Sequence, residues 1–173
     1  MNGGAEQPVW ARPPQAAGTL VIGWGNDLRG DDGAGRAVAR AVAGWQRDDI
    51  CVLETHQLTP ELAWPVAKAE QVIFVDAEIV SDASSVRLAP LTADNAPPAA
   101  WQTAHVGSPQ AVLDLARTLY GATPLAWCIA VPVEQCALGE ALSPGTAQAV
   151  AEAVQLIKEW LAKQEERNHA SMC

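Results

Sequence analysis

The sequence predicts an α/β sandwich: one domain with a mostly parallel sheet of about five strands, covered by helices on both faces. Three observations lead there. Short apolar, β-rich runs alternate with stretches whose apolar residues recur at helical spacing. The first strand-like run, "TLVIGWG", is apolar as in a strand covered on both sides, while "SVRLAPL" alternates. Three helical stretches open on Thr-Pro or Ser-Pro, a capping residue followed by one whose ring presets the first helical position.

Taken in order, "TLVIGWG" is the first strand. From Gly33 the period changes, and Val38, Ala41, Val42 and Trp45 fall on one face of a helix. "ICVLETH" is the second strand. "TPELAWPVAKA" is a short helix with Thr59 as its cap, Pro60 at its first position and Pro65 bending it or cutting it short. "QVIFVDA" is the clearest strand, and "SVRLAPL", with its Pro90, is an edge strand. A loop over residues 92–107 leads to a helix opened by Ser108 and Pro109, with Val112, Leu115, Ala116 and Leu119 on its apolar face. "PLAWCIAVPV" is the last strand. Ser143 and Pro144 open the last helix, whose apolar face is Val150, Val154, Ile157 and Leu161. Residues 1–18 read as a flexible leader, 19–164 as the single α/β domain and 165–173 as a fraying tail.

A net charge of −9 over 173 residues sets the chain against nucleic acid, whose phosphates such a surface repels. No apolar run approaches the ~20 residues of a membrane span, and no basic-then-apolar start suggests a signal peptide. Cys51, Cys128, Cys136 and Cys173 form no CxxC pair and no zinc spacing. Two of them lie in apolar strand runs and read as small core residues. A monomer in a reducing cytoplasm is the expectation that follows.

The chemistry gathers around "VIGWGNDLRGDDGAG", residues 21–35. It begins like a dinucleotide fingerprint, yet the third glycine of GxGxxG falls on Leu28. Asp31 and Asp32 also occupy the helix mouth, where a pyrophosphate needs bare N–H groups. In an α/β sheet, ligands sit beyond the carboxyl ends of the strands. Asp31 and Asp32 follow the first strand, Asp76 ends the third, and His105 lies in the loop before the Ser-Pro helix. Singly, each has a plainer role: a helix cap for either aspartate of the pair, a strand-end cap for Asp76, a backbone-bonded loop residue for His105. Together, two carboxylates and an imidazole are oxygen and nitrogen ligands for a divalent ion, with positions left open. His56, at the end of the second strand, has no evident acid partner and reads as a pocket-lining or core residue.

"GWGNDLRGDDGAG", "FVDA" and "HVGSP", in that order, resemble the hydrogenase maturation endopeptidases over about residues 19–160. The resemblance implies an α/β sandwich that contacts nickel through Asp32, Asp76 and His105, the same residues serving catalysis. The second acidic position is often Glu in that family and is Asp here. "HQLTPELA", residues 56–63, further resembles the subgroup serving bidirectional, NAD-linked hydrogenases. The implied activity removes the C-terminal extension of the nickel-loaded [NiFe] hydrogenase large-subunit precursor. Nickel, presented by that substrate, signals that the cofactor is in place, and cadmium or zinc are surrogates for it. The metal either polarises the scissile carbonyl or a water, or serves in recognition while Asp32 or Asp76 acts as base. The alternative is a non-catalytic chaperone that senses or delivers nickel, although three histidines make no histidine-rich tract. A spore germination protease on the same fold is disfavoured by the "HVGSP" loop and the short chain.

Overall fold

The computed structural model describes residues 18–80, 85–91, 107–134, 138–139 and 141–171. Strand β1 (Thr19–Trp24) leads through a 3-10 turn (Gly30–Gly33) into helix α1 (Ala34–Ala43). Strand β2 (Ile50–Thr55), a 3-10 turn (Pro60–Leu62) and helix α2 (Ala63–Lys68) follow. Then come β3 (Gln71–Ile79), β4 (Arg87–Leu91), α3 (Pro109–Tyr120), β5 (Leu125–Val133) and α4 (Pro144–Ser171).

The five strands form one sheet in the order β2-β1-β3-β5-β4. All pairings are parallel except that of the edge strand β4, which runs antiparallel to β5. Within β4, Pro90 stands opposite Trp127. On one face Leu20, Ile22, Phe74 and Cys128 pack against Val66 of α2 and Val112 and Ala116 of α3. On the other, Val21, Ile73, Val75, Ile129 and Val131 meet Val38 and Val42 of α1 and Ile157, Trp160 and Leu161 of α4. The expected three layers are therefore present, and the alternation of side chains along each strand divides the core into two.

The strand order carries functional weight. From β1 the chain steps outward to β2, then crosses back through α2 to lay β3 on the other side of β1. The connections thus diverge between β1 and β3, and folds of this kind bind their ligands outside the carboxyl ends of strands at such a point.

Some expected details shift. Ala41 and Leu119 are exposed, although both were expected on buried helix faces. The buried stripe of α4 runs through Ala149, Ala153, Ile157, Trp160 and Leu161, with Val150 and Val154 at its margin. The residues marking that stripe include small alanines, which apolar periodicity weighs lightly. Pro65 lies in the first turn of α2, where its missing N–H leaves no helical bond unmade. α4 continues through Ser171, beyond the 164 boundary, and Arg47 pairs with Glu165 at 2.6 Å. Residues 1–17 lie outside the described residues.

Candidate functional site

Glycines bring the acidic turn down onto the strand ends. A Cβ on Gly35 would lie 2.4 Å from the Val75 carbonyl and 2.6 Å from that of Trp24, so only glycine lets α1 start over both β1 and β3. Gly25 has φ +134°, and a Cβ there would stand 1.9 Å from the Asp32 carbonyl. The glycine pattern that imitates a phosphate cradle is thus a close-packing device, which seats Asp32 beside the end of β1.

Asn26 ties the turn together. Its N–H donates to Asp32 Oδ2 at 2.9 Å, and its side-chain Oδ1 accepts the Leu28 N–H at 3.0 Å. The next residue, Asp27, is gripped from α1: Arg40 makes a fork to both its oxygens at 3.0 and 3.1 Å, and Arg36 reaches it at 2.9 Å. Glu54 of β2 joins through Arg40 at 3.1 Å. The Arg40 hydrogen bonds hold the Asp27 carboxyl below its ordinary range, against the opposing effect of burial. Sequence reasoning missed this cluster, although two arginines four apart directly after the turn were a visible signal. His56 is exposed, with Nδ1 3.5 Å from Arg36 NH1, so it borders this cluster and is not a core residue.

The two neighbouring aspartates have separate tasks. Asp31 is buried, and its carboxylate accepts the Ser143 N–H at 2.7 Å and the Ser143 hydroxyl at 2.9 Å. Ser143 Oγ in turn accepts the Thr146 N–H at 3.2 Å. Asp31 therefore secures the start of α4 and does not cap α1, the helix that follows it. The cap position of α1 is Gly33, which has no side chain to offer. Asp32 is partly exposed, with Oδ2 held by the Asn26 N–H.

Asp76 comes from the carboxyl half of β3 and shares the face of Phe74 by strand alternation. Its Oδ1 accepts the following Ala77 N–H at 2.9 Å. Burial first, then the negative charges of Asp32 and Glu78, push its carboxyl up to about 7 against the lowering effect of that N–H. β1 and β3 are sheet neighbours and Gly35 packs against the Val75 carbonyl, so the turn of Asp32 lies over the end of the strand that carries Asp76. Glu78 is paired with Arg87 across to β4, but among the described residues neither Asp32 nor Asp76 has an ion-pair partner. Carboxylates without an ion-pair partner are hard oxygen donors that suit an incoming divalent cation.

His105 lies outside the described residues. The chain re-enters at Gly107, beside the Leu58 carbonyl, on the sheet face that Asp76 shares. Ser108 then caps α3, its Oγ accepting the Ala111 N–H at 3.2 Å. Among the described residues no three His, Cys, Asp or Glu side chains converge as a metal centre. Cys128 is buried and Cys51 partly buried, as their strand positions implied.

No protein-family model matches the sequence, and no curated protein matches it either. Solved structures do. The hydrogenase maturating endopeptidase HybD of Escherichia coli is 24% identical over 84% of this chain and 93% of its own, with a TM-score of 0.67. A [NiFe] hydrogenase maturation protease, HycI of Thermococcus kodakarensis, is 22% identical over 82% and 90%, with a TM-score of 0.64. A hydrogenase 2 maturation peptidase from a Thaumarchaeota archaeon is 21% identical over 83% and 97%, with a TM-score of 0.62. The likeness spans nearly the whole of each of those proteins, and its content is the fold: this chain has the α/β fold of the hydrogenase maturation proteases.

Proposed function

We propose that this protein is an endopeptidase that removes the C-terminal extension from the nickel-loaded large-subunit precursor of a [NiFe] hydrogenase. The observation that carries this reading is the pair Asp32 and Asp76. They come from the turn after β1 and from the carboxyl half of its sheet neighbour β3, without an ion-pair partner among the described residues, on the fold of hydrogenase maturation proteases. Asp32, Asp76 and His105 are the proposed contacts to the nickel. An open set of oxygen and nitrogen donors touches a metal that substrate thiolates hold, without extracting it.

Hydrolysis of the peptide bond requires water to add to the carbonyl and a proton to reach the departing amine. Asp76, with its carboxyl near 7, is matched to take the water's proton and return it. Asp32, whose Oδ2 is tied to the Asn26 N–H, has its other oxygen for cation contact. Nickel bound in the substrate supplies recognition and a positive field at the scissile bond.

The test is mass spectrometry of a nickel-loaded precursor incubated with this protein, beside a nickel-free precursor. Loss of a C-terminal peptide from the loaded form alone is the expected result. A precursor that stays full length while its nickel passes to this protein makes the protein a nickel carrier and overturns the peptidase reading. Asp76→Asn and His105→Ala are expected to abolish processing. Asp32→Glu is expected to retain part of it, since the longer carboxylate offers the same donor.

A further inference from the structure

Large apolar side chains are exposed at the carboxyl rim of the sheet as well as at its far end. At the rim, Leu28 is 61% and Leu138 is 90% exposed. A scattered exposed leucine needs no explanation, but these two are held as a pair. Arg29 and Gly139 form a parallel β-bridge, with the Gly139 N–H donating to the Leu28 carbonyl and the Gly30 N–H donating to the Gly139 carbonyl. Leu28 and Leu138 each directly precede a bridged residue, so the two leucines flank the same bridge.

The bridge is joined to the acidic turn at both ends of its span. Asp31 follows directly after Gly30 and holds Ser143, a few residues beyond Gly139, through its buried carboxylate. The bridge that both leucines flank is therefore tied to the turn that carries Asp32, a carboxylate without an ion-pair partner among the described residues. A surface that is apolar on one side and anionic on the other fits a partner with an apolar side chain beside a cationic centre. Nucleic acid fails the charge criterion. A second copy of this chain would set acid against acid at a net charge of −9 each.

We propose that Leu28 and Leu138 form the apolar half of the docking surface for the cation-bearing protein substrate, seating an apolar side chain that flanks the cation. This rests on the function proposed above. Association then buries two isobutyl groups that folding leaves in water, and the nearby carboxylates meet the cation in a fixed register.

The double variant Leu28→Ser/Leu138→Ser tests this with the nickel-loaded large-subunit precursor as the probe, its binding followed by biolayer interferometry. Free Ni²⁺ binding is measured in parallel by calorimetry. The matched control is Leu119→Ser/Leu125→Ser, exposed leucines at the far end of the molecule. The rim variant is expected to bind the precursor about tenfold or more weakly, with its affinity for free Ni²⁺ and its circular dichroism spectrum unchanged. The control is expected to match the wild type. Precursor binding by the rim variant within about twofold of wild type, or an equal loss in the control, overturns the docking surface. So does a loss of free Ni²⁺ binding, which would place the effect in the acidic turn. If the wild-type protein itself neither binds nor shortens the precursor, the peptidase reading falls first, and the docking surface falls with it.

Discussion

Asp31 and Asp32 are adjacent, chemically identical and differently employed. The sequence shows the pair but not which member turns inward, because that depends on a serine 112 positions away along the chain. Removing the carboxylate with Asp31→Ala leaves the Ser143 N–H and hydroxyl without their acceptor in a partly buried site. The expected cost is about 2–3 kcal/mol of stability, read from urea unfolding. Ser143→Ala should cost less, and the double variant less than the sum of the two. Asp76 carries a different signature. An unfolded aspartate titrates near 3.8, while the folded residue sits at about 7, so folding favours its protonated form. That contribution is fully present below pH 3.8 and is lost as pH rises through 7. Asp76→Asn is therefore expected to be more stable than the wild type at pH 8, by up to about 4 kcal/mol. Unfolding curves of both proteins at pH 4.5 and 8 check this, and the advantage should shrink toward the lower pH. A variant that is both inactive and more stable is what a residue kept for chemistry at a cost to the fold should give.

Among the elements, the strands were legible because both of their faces are covered, so their apolar runs are unbroken. Helix faces were less so: Ala41 and Leu119 fit the spacing yet point to solvent, while small alanines line α4. The glycine-rich turn was misleading in its first impression and readable in its second. Its local pattern suggests a phosphate site, and only the aspartates and Leu28 argue otherwise. Its actual work is contact between α1 and the sheet, which no local pattern reveals. Gly35→Ala tests that work directly. The added methyl meets the Val75 and Trp24 carbonyls, backbone atoms that cannot swing aside. The expected loss is about 1–3 kcal/mol or more, and it should come with reduced processing, because α1 carries the acidic turn away as it shifts. Gly44→Ala at the far end of α1, whose nearest contact would be 3.2 Å, should be much milder in both measurements.

At the scale of the whole molecule, the aspartates could be placed near one rim from strand ends alone, but not on neighbouring strands. That required the strand order, since only β1 and β3 as sheet neighbours bring Asp32 and Asp76 together. The expectation that His105 joins them falls on residues outside those described. The thiols are expected to be spectators of the reaction. Burial, then the charge of Asp76, raises the Cys128 thiol well above its usual range, and burial raises Cys51. A protein with all four cysteines changed to alanine should still shorten the precursor at a rate within a few-fold of wild type, with the buried Cys128 costing more stability than the half-buried Cys51. Among the described residues no helix is long and apolar enough to cross a membrane.

The reversed edge strand has a consequence for how such a protein survives in a crowded solution. A sheet ends in two rows of backbone groups with nothing beside them, and a neighbouring chain can extend either row into an aggregate. β4 is short, runs against its neighbours, and contains Pro90, which has no N–H to lend to a newcomer. Arg87 near its start adds a charge that a dry strand pairing would have to desolvate. The β4 margin of the sheet is thus unreceptive to strangers, unlike a rim of loops, where selectivity can be written in side chains.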